Sequence, residues 1–563
     1  MFCADGIMIV ARRRGAEPQV IAMGIAGISL LLFVAYPLSL LLLHSLEVGG
    51  RPTLAGYLKA FAEHQNLVAL GNSLYVGVAV TLLAVLIGVG MAWLIIRTDI
   101  PFKRGFRGLI FLTFITPPYI GAIGWIQLLG RAGYLNSALM RAFNLSAPPI
   151  ELYSLEGIIA VMAIYLYPLV FWATAGVLEQ TDPALEDAAA LSGGTRWRVF
   201  TTITLPLASP SILSAGILVF IHTISCFAVA AALGLPTRHY VLATRIYTAL
   251  SHYDAQMACA LSVILVLLSG GAFLLQRVLL GQGRYTTITS GSRRPEPLNL
   301  GRWRLPATIF LAAFTFLTAI LPLLTILSTS LLKAWGLPPA LGNLSWGNYL
   351  AILQDRLIGS ALRNSLIFAS LAASAGALLS FVVAYISART RLPGRGFLDL
   401  MATFPLAIPG PVLATAMILA FMNPPFVLYN TPWIIILAYF VAFTPFALRN
   451  LSGSLRAIDP ALEEVAWLSG ASWLRGLKDI LLPLVRPEIL TSWILVFLMG
   501  LREIPLSLML HTQGTETVGV VLFSFWETIG VEAVSALAVI VMLVTLAGYL
   551  ILGKLGGRLE VGR

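Results

Sequence analysis

Twelve apolar stretches, each near the ~20 residues that cross a bilayer as a helix, alternate with short polar connections along this chain. They fall near residues 20–44, 71–96, 107–130, 157–180, 210–234, 257–280, 306–332, 362–388, 397–422, 432–455, 487–511 and 533–555. The pattern predicts an all-α polytopic membrane protein with about 12 transmembrane helices. Composition agrees: of 563 residues 58% are hydrophobic and 11% charged, and the mean hydropathy is +0.89, beyond the range of soluble globular domains. Arg12, Arg13 and Arg14 precede the first stretch. That stretch exceeds the ~7–15 residues of a signal-peptide core and no small-x-small cleavage site follows, so an uncleaved first helix is expected.

The net charge of +11 invites a nucleic-acid reading, but its distribution argues otherwise. Assigning connections alternately to two sides puts 26 Lys plus Arg and 15 acids on the side of the N-terminus, against 10 and 10 on the other. Basic residues stay inside, so both termini are expected in the cytoplasm, and no basic folded module for nucleic acid exists. Cys3, Cys226 and Cys259 show no CxxC spacing, which favours packing roles over disulfides or metal.

The chain repeats itself. Asp182 to Phe220 aligns without a gap to Asp459 to Phe497, with 21 of 39 positions identical at an offset of 277. Earlier, NSLYVGVAV from Asn72 parallels NSLIFASLA from Asn364, now at an offset of 292. The 15-residue difference places extra residues in the first half, in the loop Arg131 to Glu156, longer than its counterpart Asn423 to Thr431. The expected organisation is a first six-helix half at 1–280, a polar linker at 281–305 and a second half at 306–563. An even number of spans per half makes the repeats parallel, with a pathway expected between them.

The most conspicuous repeated segment is DPALEDAAALSGG at Asp182 and DPALEEVAWLSGA at Asp459. Asp182 is a good N-cap and Pro183 suits the first helical position. Glu186 and Asp187 lie near the positive end of the helix dipole, and Gly193 supplies a left-handed closing turn. The second copy keeps Asp459, Pro460, Glu463, Glu464 and Gly470. Each copy reads as a short, self-capped helix outside the membrane, small in its middle (Ala188, Ala189) and acidic enough to meet Arg or Lys on another protein.

These residues resemble the EAA loop of ABC importer permeases: EAA, three residues, Gly, nine residues, Ile, one residue, Leu-Pro. The copies near 182–206 and 459–483 match as Asp187-Ala188-Ala189, Gly193, Ile203, Leu205-Pro206 and as Glu464-Val465-Ala466, Gly470, Ile480, Leu482-Pro483. Asp187 and Val465 are the departures, and Asp187, being shorter, leaves open whether Glu186 makes the acidic contact. The resemblance implies the type I importer permease fold and a place in the bacterial cell inner membrane. It implies two copies of an ATP-binding subunit gripping the loop helices at the cytoplasmic face, and a periplasmic substrate-binding protein at the outer face. Stretches such as TFITPPYIGAIGW and LREIPLSLMLHTQGTETVGV are similar to ferric-iron permeases of this type, and relatives of the same architecture handle thiamine, polyamines or aminoethylphosphonate. An ion-coupled secondary transporter with six-plus-six repeats is the competing class, and it would need buried acids near the midplane.

No catalytic or cofactor chemistry is expected in this chain. GYLILGKL, Gly548 to Leu555, has GxxxxGK but ends in Leu and lies in the last apolar stretch, HExxH and GxSxG are missing, and no metal site is indicated. The pathway candidates are Arg502 and Glu503, placed in the eleventh stretch, His222 in the fifth, and the helix-breaking Pro117, Pro118 and Pro409 at matched places in the third and ninth.

Overall fold

The computed structural model describes residues 18–48, 50–180, 192–193, 195–280, 297–337, 340–524 and 530–556. The chain is helical almost throughout these residues. Among the described residues ten helices are long and apolar enough to cross a membrane: Pro18–Ser45, His64–Arg97, Leu155–Gln180, Phe200–Ser225, Ala255–Leu279, Gly301–Ser330, Arg356–Arg389, Pro432–Ala457, Trp473–Leu501 and Val531–Leu555. Two further pairs, Lys103–Ile115 with Pro118–Phe143 and Arg395–Ala407 with Gly410–Phe421, bend by 100° and 114° and bring the total to twelve if each is one span. Spans are numbered below in chain order on that basis.

The bends fall where the sequence placed its proline breaks. Pro117 and Pro409 occupy the extended residue before each second piece, at ψ 129° and 142°. A proline removes an N–H and its ring collides with the carbonyl one turn back, so the helical ladder restarts rather than continuing. The fourth and tenth spans instead carry Pro168 and Pro445 inside continuous helix. The extra residues of the first half contain the amphipathic helix Tyr134–Phe143.

Two expectations need correction. The fifth and eleventh spans begin about ten residues before their predicted starts, because TRWRVFTTITLP and its counterpart are already helical. A π turn at Phe200–Thr204 and another at Leu477–Leu481 sit just ahead of Pro206 and Pro483. The wider turn relieves the proline's clash with the preceding turn and lets one helix run through. Those spans also end early, at Ser225 and Leu501. Arg502 and Glu503 therefore lie past the eleventh span, before the separate short helix Pro505–Leu510.

The chain packs as two compact units, which are a different division from the sequence repeats. One unit comprises Met1–Gly56, Ile352–Trp526 and Leu543–Glu560, so it joins the first span to the eighth through eleventh. The other comprises Tyr57–Ala351, Glu527–Met542 and Val561–Arg563, joining the seventh span to the second through sixth.

Within each unit the core is the crossing of the second and fourth spans of a repeat. At Gly88 a Cβ would stand 2.7 Å from Val170 Cβ and 2.9 Å from the Tyr167 carbonyl oxygen. Small residues at such crossings let helix backbones approach, which is the main source of packing where lipid removes the hydrophobic difference. The counterpart, Ser380, donates its hydroxyl to the Thr444 carbonyl at 3.0 Å, and Thr444 corresponds to Tyr167 at the offset of 277. The same crossing is thus built twice, once with glycine and once with a hydrogen bond.

Candidate functional site

The repeated loop is described in its second copy. Asp459 Oδ1 accepts from the Ala461 N–H at 2.9 Å, capping the helix Ala461–Leu468 as its sequence predicts. Ser469 and Ala471 N–H close onto the carbonyls of Val465 and Ala466. Gly470 makes this possible at φ +85°, in the left-handed region that side chains resist. Gly193 holds φ +83° at the same repeat position and is exposed. Glu186, Asp187, Ala188 and Ala189 lie outside the described residues. Replacing Gly470 with Val is expected to destabilise the closing turn by about 1–2 kcal/mol, read as faster proteolytic cleavage of the loop in the folded protein.

The two acids of the second copy part company. With 3.6 residues per turn, successive side chains are about 100° apart, so when Glu463 faces the protein Glu464 is free to face outward. Glu463 turns inward and forms an ion pair with Arg389 at 3.2 Å, both side chains 7% exposed. Arg389 also donates to the Ile458 carbonyl at 2.7 Å, just before the loop helix. Burial pushes the Glu463 carboxyl above its usual range, and the Arg389 guanidinium pulls it partly back. Ala466 shares the inward face and is buried.

Glu464 points the other way and is exposed. Beside it on that arc are Leu462, Val465 and Leu468, exposed by 47%, 61% and 62%. An acid next to a continuous apolar stripe on a short, rigid helix is what a protein partner can grip. The stripe was missed in the sequence, although Leu185, Ala188 and Leu191 repeat its spacing.

A third contact seats the loop. Trp473 Nε1 donates to the Tyr385 hydroxyl at 2.7 Å, and their rings meet edge to face at 5.9 Å. Tyr385 stands one turn before Arg389 on the eighth span, so that helix end holds the loop on both flanks. In the first half the corresponding residues are Trp93, packed edge to face on Phe200 at 5.9 Å, and the buried Arg97.

The pathway candidates divide. Glu503 caps the helix Pro505–Leu510, its Oε1 accepting from the Leu506 N–H at 3.0 Å. Its carbonyl lies where a side chain on Gly519 would collide, at 2.3 Å. Glu503 thus organises the segment after the eleventh span, with Arg502 beside it. His222 is an exposed residue in the last turn of the fifth span. Pro117, Pro118 and Pro409 stand at the two bends. The string around Gly548 is continuous helix, with no loop to cradle a phosphate.

These features define a polytopic helical protein with an internal sequence repeat, whose second loop helix is fastened to the eighth span on one face and open on the other. The family model for the inner membrane component of binding-protein-dependent transport systems matches residues 84–281 and 376–561, and the chain belongs to that family. It is a multi-pass inner membrane permease, a transport subunit and not an enzyme. It is 27% identical over 491 residues to a putative ferric transport system permease of Haemophilus influenzae, spanning 86% of this chain and 76% of the relative. A ferric transport system permease of Actinobacillus pleuropneumoniae is 27% identical over 79% of this chain and 65% of its own length. A putative 2-aminoethylphosphonate permease of Salmonella typhi is 28% identical over 43% of this chain. Among solved structures, a bacterial ABC transporter that imports alginate aligns at 18% identity over 46% of this chain, with a TM-score of 0.38.

Proposed function

We propose that this permease carries ferric iron, received from a periplasmic binding protein, and that two ATP-binding subunits seat on its loop helices at the cytoplasmic face. The observation that carries the motor's place is the outward face of Ala461–Leu468, where Glu464 and the stripe Leu462, Val465 and Leu468 stand open on a helix otherwise fastened down. The ferric reading is supported by the names of the relatives that span most of the chain. The charge bias supports cytoplasmic termini, which puts both loops on the motor's side. In this reading Glu186, Asp187, Ala188, Ala189 and Gly193 serve the first loop as Glu463, Glu464, Ala466 and Gly470 serve the second.

Transport then follows from mass and geometry. ATP binding closes the motor subunits, the loop helices move with them, and the repeats rearrange around the pathway. The test is uptake of radioactive iron into vesicles holding the permease and its ATP-binding subunit, given the iron-loaded binding protein outside and ATP inside. Uptake is expected to survive collapse of the proton gradient and to stop on ATP depletion; the reverse pattern would contradict the proposal. The purified permease alone is expected to bind no ATP by equilibrium dialysis.

A further inference from the structure

The dipeptide Asn-Ser occurs at the same place in the second span of both repeats, and the loop-motor reading gives it no task. In the eighth span Asn364 Nδ2 donates to the carbonyls of Gly514 and Glu516, at 3.0 Å each. Next to it, Ser365 Oγ accepts from the N–H of Val518, the first residue of a short helix, at 2.8 Å. In the second span Asn72 Nδ2 donates to the Tyr240 carbonyl at 2.9 Å, and Ser73 Oγ accepts from the N–H of Leu242 at 2.7 Å. Leu242 again opens a short helix. Each dipeptide therefore pins the segment that links the last two spans of its repeat.

The other end of the eighth span holds the second loop through Tyr385 and Arg389; the second span carries Trp93 and Arg97 at the same repeat positions, and most of its loop lies outside the described residues. Ser365 and Arg389 are 24 residues apart, as are Ser73 and Arg97, which is about 36 Å of helix at 1.5 Å per residue. That is close to the ~30 Å of a bilayer's hydrocarbon core. Among the described residues these are also the longest helices, 34 residues each, and neither contains proline. The first, fifth, seventh and eleventh spans carry π turns, the third and ninth are broken, and the fourth and tenth contain proline. The sixth and twelfth spans are likewise free of proline and π turns but are shorter, at 26 residues each, so the second and eighth spans are the longest uninterrupted helices among the described residues.

We propose that the second and eighth spans are connecting rods that carry loop-helix movement across the membrane to the segments 235–242 and 511–518, with Asn72, Ser73, Asn364, Ser365, Tyr385 and Arg389 as positioning residues. The inference rests on the motor reading of the loops, and it changes one part of that reading. Glu463 is an internal strut tying the loop to its rod, and Glu464 is the acid left for the motor.

Two measurements test it. In the reconstituted complex with its ATP-binding subunit, Ser365→Ala with Asn364→Ala, and separately Arg389→Gln, are each expected to cut stimulation of ATP hydrolysis by the loaded binding protein at least about fivefold. Basal hydrolysis and copurification of the subunit should stay within about twofold. Residues this far apart act independently unless one body joins them, so all three substitutions together should be no worse than the stronger set alone; multiplied losses, or no loss at either end, would overturn the rod. The second measurement uses the permease alone: Arg389→Gln should speed amide hydrogen exchange at Gly514–Val518, and unchanged exchange there would also overturn it. A failure of the motor reading looks different, because then Glu464→Lys would leave hydrolysis unaltered while the exchange effect persists.

Discussion

Glu464→Lys is expected to leave the permease folded and inserted while reducing ATP-driven uptake to under about a tenth of the native rate. The side chain is exposed, so the loss is expected to fall on the partner and not on the fold. A buried acid opposite a basic residue at an interface centre is a typical hot spot, and reversing its charge sets like against like. Leu468→Asp, on the same arc, is expected to act in the same direction by wetting the apolar stripe. Neither change should alter the melting temperature of the isolated permease by more than a degree or two, since surface substitutions away from caps and cores are nearly neutral. Normal uptake by the Glu464 variant, with normal stimulation of hydrolysis, would remove the loop from the mechanism.

Gly88→Val is expected to act on the fold itself. Its new Cβ would stand 2.7 Å from Val170 Cβ and 2.9 Å from the Phe171 nitrogen, against the backbone of the fourth span, which cannot swing aside as a flexible side chain could. Overpacking of this kind costs roughly 1–3 kcal/mol or more, and here the second and fourth spans must separate to relieve it. The expected result is a fall in detergent-stable, monodisperse protein and a lower midpoint of thermal unfolding. Gly90, two residues on and so on the opposite side of the helix, with open space around it, is the control: Gly90→Val should leave both nearly unchanged. Equal yields of the two variants would contradict the crossing described for these helices.

Much of this was written in the local sequence, and the parts that were not share a cause. Span number, the proline breaks at Pro117 and Pro409, the capped loop helix and the left-handed Gly470 all depend on residues within a turn or two of one another. Run length, caps and φ preferences report such features directly. The partner of Glu463 is different. Glu463 and Glu464 are adjacent acids of the same type, and only Arg389, distant in the chain, decides which one turns inward. The starts of the fifth and eleventh spans were misplaced because a hydropathy window sees polar TRWRVFTTITLP, whereas the helix is carried through by a π turn that hydropathy does not register. Packing of the first span with the eighth to eleventh leaves no local signature at all. The Asn-Ser dipeptides were visible as a repeat, but the carbonyls and N–H groups they satisfy belong to segments about 150 residues away, so their purpose needed coordinates.

The loop helix as the seat of a separate ATP-driven subunit is tested most directly by a photo-activated cross-linker placed at Val465, an exposed position on the stripe, in the assembled complex within native membranes. The account predicts a product joining the permease to the ATP-binding subunit, with a yield that changes when ATP is added. A product with the periplasmic binding protein instead, or labelling of Val465 only by reagents confined to the outside of the cell, would contradict it.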